Sequence, residues 1–275
     1  MAIDLTALWD FNKPDVSEQR FREALATASG DDALILQTQI ARTFGLRKDF
    51  ANAQKILQSL DAEVAIAGAE ARARHALEWG RTFSSATHPA ETQTAQNKQQ
   101  ARDAYERALT IARGGKLDGL AIDAIHMLAF VDTAPADQLK WAQEALAVVE
   151  ASSQPAAKMW EASIRNNIGH ALHQLGRFDE ALEQFERAVV LRERGQNPRA
   201  TRIAHWMVAW TLRAMGRTDE ALAIQLRLER EWDAEDAPDP YVYEELEALY
   251  RSKGDEARAN HYAQLRRSAD GGAAT

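Results

Sequence analysis

The sequence contains no cysteine, which excludes disulfides and every thiolate-based zinc or iron–sulfur site. Glycine and proline are scarce, 14 and 7 in 275 residues, while 45% of residues are apolar. Low-complexity disorder does not fit those figures. Strand signals are also lacking: Val/Ile/Thr alternation never persists for six residues, and no Asn-Gly or Asp-Gly separates alternating runs. No run approaches the ~20 apolar residues that a spanning helix needs, so no membrane partner is expected. The opening MAIDLTALWDFNKPD is acidic by Asp4 and has neither a basic n-region nor an A-x-A site, which reads as a cytoplasmic address without a secretory signal. A net charge of −8 argues against nucleic acid, whose binding rests on a basic footprint.

What is present is helical periodicity. AEVAIAGAEARARHALEWG and PRATRIAHWMVAWTLRAMG space their apolar residues three and four apart. Breaks fall at Ser29-Gly30-Asp31, Gly114-Gly115, Pro135, Ser152-Ser153-Gln154-Pro155, Asn197-Pro198 and Pro238-Asp239-Pro240, the residues that stop and start helices. The reading is all-α, with roughly a dozen helices in the usual range of ~8–20 residues.

The chain also repeats itself. GRFDEALEQFERAV (176–189) aligns without a gap to GRTDEALAIQLRLE (216–229), and Gly254-Asp255-Glu256 opens a third copy. One copy reads Ile168, Gly169, Leu172, Gly176, Phe178, Ala181, Phe185 and Ala188; the next reads Val208, Ala209, Leu212, Gly216, Ala221 and Leu228. An N-terminal copy reads Ile40, Ala41, Phe44, Phe50, Ala53, Leu57 and Leu60, and Trp79-Gly80 with Phe83 starts another whose second helix follows nine inserted residues. This pattern resembles the tetratricopeptide repeat, with copies 36 to 48 residues apart in place of the standard ~34.

The resemblance implies a tetratricopeptide-like α-solenoid of antiparallel helix pairs forming a right-handed superhelix. Gly169 with Ala181, and Ala209 with Ala221, are expected where paired helices cross, because only small side chains permit that approach. Stacked repeats share one continuous core, so 1–267 is expected to be a single repeat domain of about five repeats. Trp9 and Phe11 lead a half-repeat that caps the N-terminus; a helix over about 255–267 caps the other end, and 268–275 forms a loose tail. The polar insertion 85–97 reads from its composition as mobile and solvated, with a lid over a groove as the lesser reading.

Catalytic fingerprints are missing: there is no G-x-S-x-G, H-E-x-x-H, Walker A or Rossmann glycine motif. The chain is therefore expected to be no enzyme and to need no cofactor. His170-x-x-His173 has the spacing of a metal-ligand pair, but no third ligand is fixed beside it by local spacing, and no metal is expected. In proteins of the resembled family the first helix of each pair lines a concave groove. Carried onto this sequence, that implies a peptide-binding set of Thr38, Arg42, Arg81, Asp123, Met127, Asn166, His170, His173, Trp206, Trp210, Arg213, Glu244 and Arg251. Trp206 and Trp210 stand four apart and share a helical face, while the helix–helix core is already assigned to Val208, Ala209 and Leu212. Arginine offers bidentate hydrogen bonds to carboxylates. The expected partner is thus a protein or peptide segment, acidic or carboxylate-bearing, bound by a non-enzymatic interaction module. The competing expectation is a regulatory sensor of a small ligand or signal peptide.

Overall fold

A computed structural model describes residues 3–195 and 197–272, with side chains described as far as Ala269. Among the described residues the chain is helical without strands, with sixteen α-helices. It forms two compact units, Met1–Trp160 and Glu161–Thr275.

The first unit holds α1 (Leu5–Leu8), α2 (Pro14–Leu25), α3 (Gly30–Leu46), α4 (Phe50–Ser59), α5 (Asp61–Val64), α6 (Ala69–Arg81), α7 (Ala95–Gly114), α8 (Asp118–Val131), α9 (Pro135–Ala151) and α10 (Pro155–Lys158). The second holds α11 (Glu161–Gln174), α12 (Phe178–Glu193), α13 (Pro198–Ala214), α14 (Thr218–Asp233), α15 (Pro240–Ser252) and α16 (Glu256–Gly272). Within each unit consecutive helices pack as neighbours, and in the second unit α13 also touches both α11 and α15. That is the stacking of a solenoid. The last helix runs to Gly272, past the residue 267 expected as its end; residues 273–275 of the expected tail lie outside the described residues.

Local chemistry accounts for the helix boundaries. Pro14, Pro135, Pro198 and Pro240 each open a helix, where a missing N–H costs nothing. Asn197 and Asp239 cap α13 and α15 through side-chain acceptors. The α11–α12 and α13–α14 turns are alike: Gly176 and Gly216 sit at φ 74° and 75°, and the next N–H returns to the carbonyl of Leu172 or Leu212 at 2.9 Å. A Cβ disfavours that left-handed geometry.

The crossings show how the pairs fit. A Cβ added to Gly169 would lie 2.7 Å from the Phe185 ring, and one added to Gly80 would lie 2.5 Å from the Tyr105 ring. Both rings are fully buried. Ala41 shares a core cluster with Leu57. The small residue on one helix is thus matched to a large one on the next. Gln225, sixteen residues after Ala209 as Phe185 is after Gly169, takes the position of that ring. It is fully buried, and neither of its side-chain amide atoms has a partner among the described residues. Ala181 and Ala221 are fully buried as expected.

At the N-terminus Trp9 folds back as expected. Its ring stacks on Phe11 at 4.5 Å and meets the Phe21 edge at 4.9 Å, while its indole N–H donates to Gln39 at 3.1 Å.

The candidate binding surfaces

In the second unit the side chains expected to line a groove form an aromatic ladder across three first helices. Trp206 and Trp210 of α13 stack at 5.8 Å. Trp210 stacks on His173 of α11 at a centroid distance of 3.3 Å and on His170 at 5.8 Å. At the other end Trp206 meets the Tyr241 edge at 6.3 Å and donates its indole N–H to the Tyr241 carbonyl at 3.1 Å. Burial holds His173 neutral, helped by His170 and Arg213, with its pKa pushed down to about 4. His170 is lowered by burial as well. Both imidazoles stack on Trp210 and burial disfavours their charged forms, and among the described residues no group of three His, Asp or Glu side chains could hold a metal.

Beside Trp206 lies a cavity of about 560 Å³, lined by Ile203, Met207, Trp232, Pro238 and Tyr241 among others. That volume falls in the range of ligand sites. Ile203 and Tyr241 are large apolar side chains left 46% and 64% exposed at its mouth. Arg202 forms one wall; its guanidinium lies 3.9 Å over Trp232 and is bonded to the Glu231 carbonyl and the Glu235 carboxylate. Sequence reasoning missed this cavity. The Pro238-Asp239-Pro240 break was legible as a turn, but not that it seats Tyr241 beside Trp206.

The arginines of the expected set in this unit already have carboxylate partners. Arg213 is held bidentately by Glu245, both contacts at 2.7 Å, and Arg251 pairs with Glu247 at 2.8 Å. Glu244 is exposed, so the carboxylate one residue on, at the buried phase of α15, is the one that neutralises Arg213. Asn166 is half-buried on α11.

In the first unit Thr38 is fully buried and donates to the Ile35 carbonyl of its own helix at 2.7 Å; it is a packing residue and not part of an open surface. Met127 is also buried, though it edges a second cavity of about 220 Å³. Two arginines and two carboxylates share that cavity. Arg81 donates to Glu78 at 2.6 Å and to Asp123 at 2.5 Å. Burial pushes Asp123 up, but the charges of Arg81 and Arg42 outweigh it and leave its pKa below the usual range. Burial lowers Arg42, whose guanidinium sits 5.6 Å over Trp9 and 5.4 Å over Phe11 and 3.6 Å from Glu78.

The insertion after α6 is also corrected. His88 stacks on Phe50 at 3.9 Å and contacts the Thr82 carbonyl. Ser84 donates to Gln93, the Tyr105 hydroxyl donates to the Ser84 carbonyl, and Ala90–Thr92 form a 3-10 turn. Ser85, Ala86 and Thr87 wall the smaller cavity. The segment is folded onto its own unit, because the Phe50–His88 stack and hydrogen bonds that a composition of Ser, Thr and Gln does not reveal fix it there.

The tetratricopeptide repeat family model matches residues 160–229. This segment is a tetratricopeptide repeat array. No curated protein sequence matches the chain. Solved structures do. A signal-transduction ATPase with numerous domains carrying a tetratricopeptide repeat sensor, from Pyrococcus horikoshii, matches at 15% identity with a TM-score of 0.69, over 92% of this chain and 38% of that one. The present chain thus spans little more than a third of that relative's length. BtubC from P. vanneervenii matches at 14% identity and TM-score 0.61, over 86% of this chain and 94% of its own. The apo form of RapI matches at 11% identity and TM-score 0.59, over 93% and 80% respectively. These likenesses establish the tetratricopeptide-type solenoid fold. No helix among the described residues is long and apolar enough to cross a membrane.

Proposed function

We propose that the protein is a non-enzymatic interaction module that docks a peptide or partner segment on the first-helix surface of its second unit. One observation carries the reading: the half-buried Trp206–Trp210 ladder beside an apolar cavity with Ile203 and Tyr241 exposed at its mouth. Aromatic anchors of this kind supply most of the binding energy in protein interfaces. An apolar or aromatic side chain enters the cavity, and the segment runs along α13 and α15. The acidic preference loses its basis on this surface, since Arg213 and Arg251 already have carboxylate partners. A regulatory sensor is the second reading, favoured by the sensor role that the Pyrococcus protein's repeats are named for. Selection from a random peptide display library on the immobilised chain tests the docking. Trp206→Ala and Trp210→Ala should each weaken a selected peptide by ~2 kcal/mol or more, and Arg187→Ala, on the exposed side of α12, should not. Unchanged affinity in both tryptophan variants refutes the assignment.

A further inference from the structure

The small cavity of the first unit has features that a packing defect would not have. Its two buried carboxylates and two arginines balance to zero charge. Arg42, however, makes no hydrogen bond among the described residues; it is held by the Trp9 and Phe11 rings and by a contact to Glu78 too long for one. A guanidinium carries five donors in a planar fork suited to a carboxylate. Glu78 takes both arginines on Oε1 and Asp123 takes Arg81 on Oδ1, so Oε2 and Oδ2 accept no hydrogen bond among the described residues. One cation thus lacks an acceptor while two anions retain acceptor capacity, in a space already neutral. A ligand bringing a lone carboxylate would leave a net charge beside the buried Glu78 and Asp123 carboxylates, which is costly. A ligand carrying a carboxylate and an ammonium keeps the balance and answers both deficits.

Size and walls narrow the class further. About 220 Å³ lies below the 300–1,000 Å³ of drug-sized sites. Met127, Phe130 and Trp160 supply an apolar and aromatic side. At Gly45, a lining residue of α3, an added Cβ would meet no atom within 4 Å, so the backbone itself borders open space. We propose that this cavity binds a free α-amino acid with an apolar or aromatic side chain, its carboxylate on the Arg42 fork and its ammonium beside Glu78 and Asp123. Its lining residues all belong to the first unit, and its test uses probes and variants other than those of the peptide docking, so the two proposals fail separately.

The test uses the full chain with L-leucine and L-phenylalanine as probes, and 3-phenylpropionate and 2-phenylethylamine as analogues lacking one charge each. Ligand that binds only the folded state raises the melting temperature with concentration, and calorimetric titration gives the affinity. Saturable binding of at least one amino acid is expected, with both analogues at least tenfold weaker. Gly45→Phe adds a ring at the cavity wall without removing a charged group and should abolish binding; Arg42→Gln should weaken it at least tenfold with the circular dichroism spectrum unchanged, which keeps the test decisive if the filled variant does not fold. Three results overturn the proposal: neither amino acid binds, phenylpropionate binds as tightly as phenylalanine, or a folded cavity variant binds as well as the parent.

Discussion

Replacing Gly169 by alanine sets two effects against each other. In a helix interior alanine is favoured over glycine by ~1 kcal/mol, so on a free helix surface the change would stabilise. Here the new methyl would stand 2.7, 2.8 and 2.9 Å from three carbons of the Phe185 ring, where ordinary contact begins near 3.4 Å. Phe185 is fully buried and has no room to swing away, so the overpacking term of ~1–3 kcal/mol should dominate. The net expectation is a loss of ~0–2 kcal/mol. The sharper reading comes from the Phe185→Leu background, where the ring is gone. There Gly169→Ala should turn stabilising by ~1 kcal/mol, giving a coupling energy of ~1–3 kcal/mol between the two positions. Urea unfolding followed by circular dichroism, comparing midpoints at constant m, measures all four corners of the cycle. If Gly169→Ala stabilises equally in both backgrounds, α11 and α12 do not approach as described and the register of the repeat is wrong.

Other outcomes follow from the same structure. Gln225→Met should raise stability by ~1–3 kcal/mol in urea unfolding, because it removes a buried amide with both ends unpartnered at little change in volume. Arg81→Met should cost ~3–5 kcal/mol, since it strands the buried Glu78 and Asp123 carboxylates; a melting temperature within a degree of the parent would refute the ion-pair cluster. His173 has its pKa depressed from 6.5 to about 4, so the unfolded chain binds the proton more tightly. Its contribution to stability is present above pH 6.5 and is lost as the pH falls towards about 4. His173→Phe should flatten that part of the stability–pH curve, and an unchanged slope would show that the ring is not held neutral.

The repeat was legible because its geometry demands residue types at fixed intervals. Gly169 and Ala181 stand where a larger group would collide, and Gly176 stands where the backbone turns left-handed, so the helix pairs could be read from composition and spacing. The ladder of Trp206, Trp210 and the α11 histidines was legible for the same reason, since i and i+4 share a helical face. Charge pairing was legible only in part: Asp123 stands in the expected set, and Glu245 does not. Arg213 meets Glu245 and Arg81 meets Asp123 across neighbouring first helices, at separations that depend on helix length and phase in each copy. On α15 Glu244 is exposed and Glu245 lies at the buried phase, so Glu245 and not Glu244 faces the arginine. The insertion was misread because the Phe50–His88 stack joins residues from different helix pairs, and local composition carries no trace of it. Tyr241 was missed because it lies in the first turn of α15, just ahead of the groove positions that the repeat pattern supplies.

The central claim is that the first-helix surface of the second unit is the working surface. Hydrogen–deuterium exchange of the full chain with and without a peptide selected on it tests this most directly. Protection is expected over residues 199–214 and 237–245, where the tryptophan ladder and the cavity lie. Protection confined to the outer faces of α12 and α14, with α13 and the start of α15 exchanging as in the free protein, would contradict it.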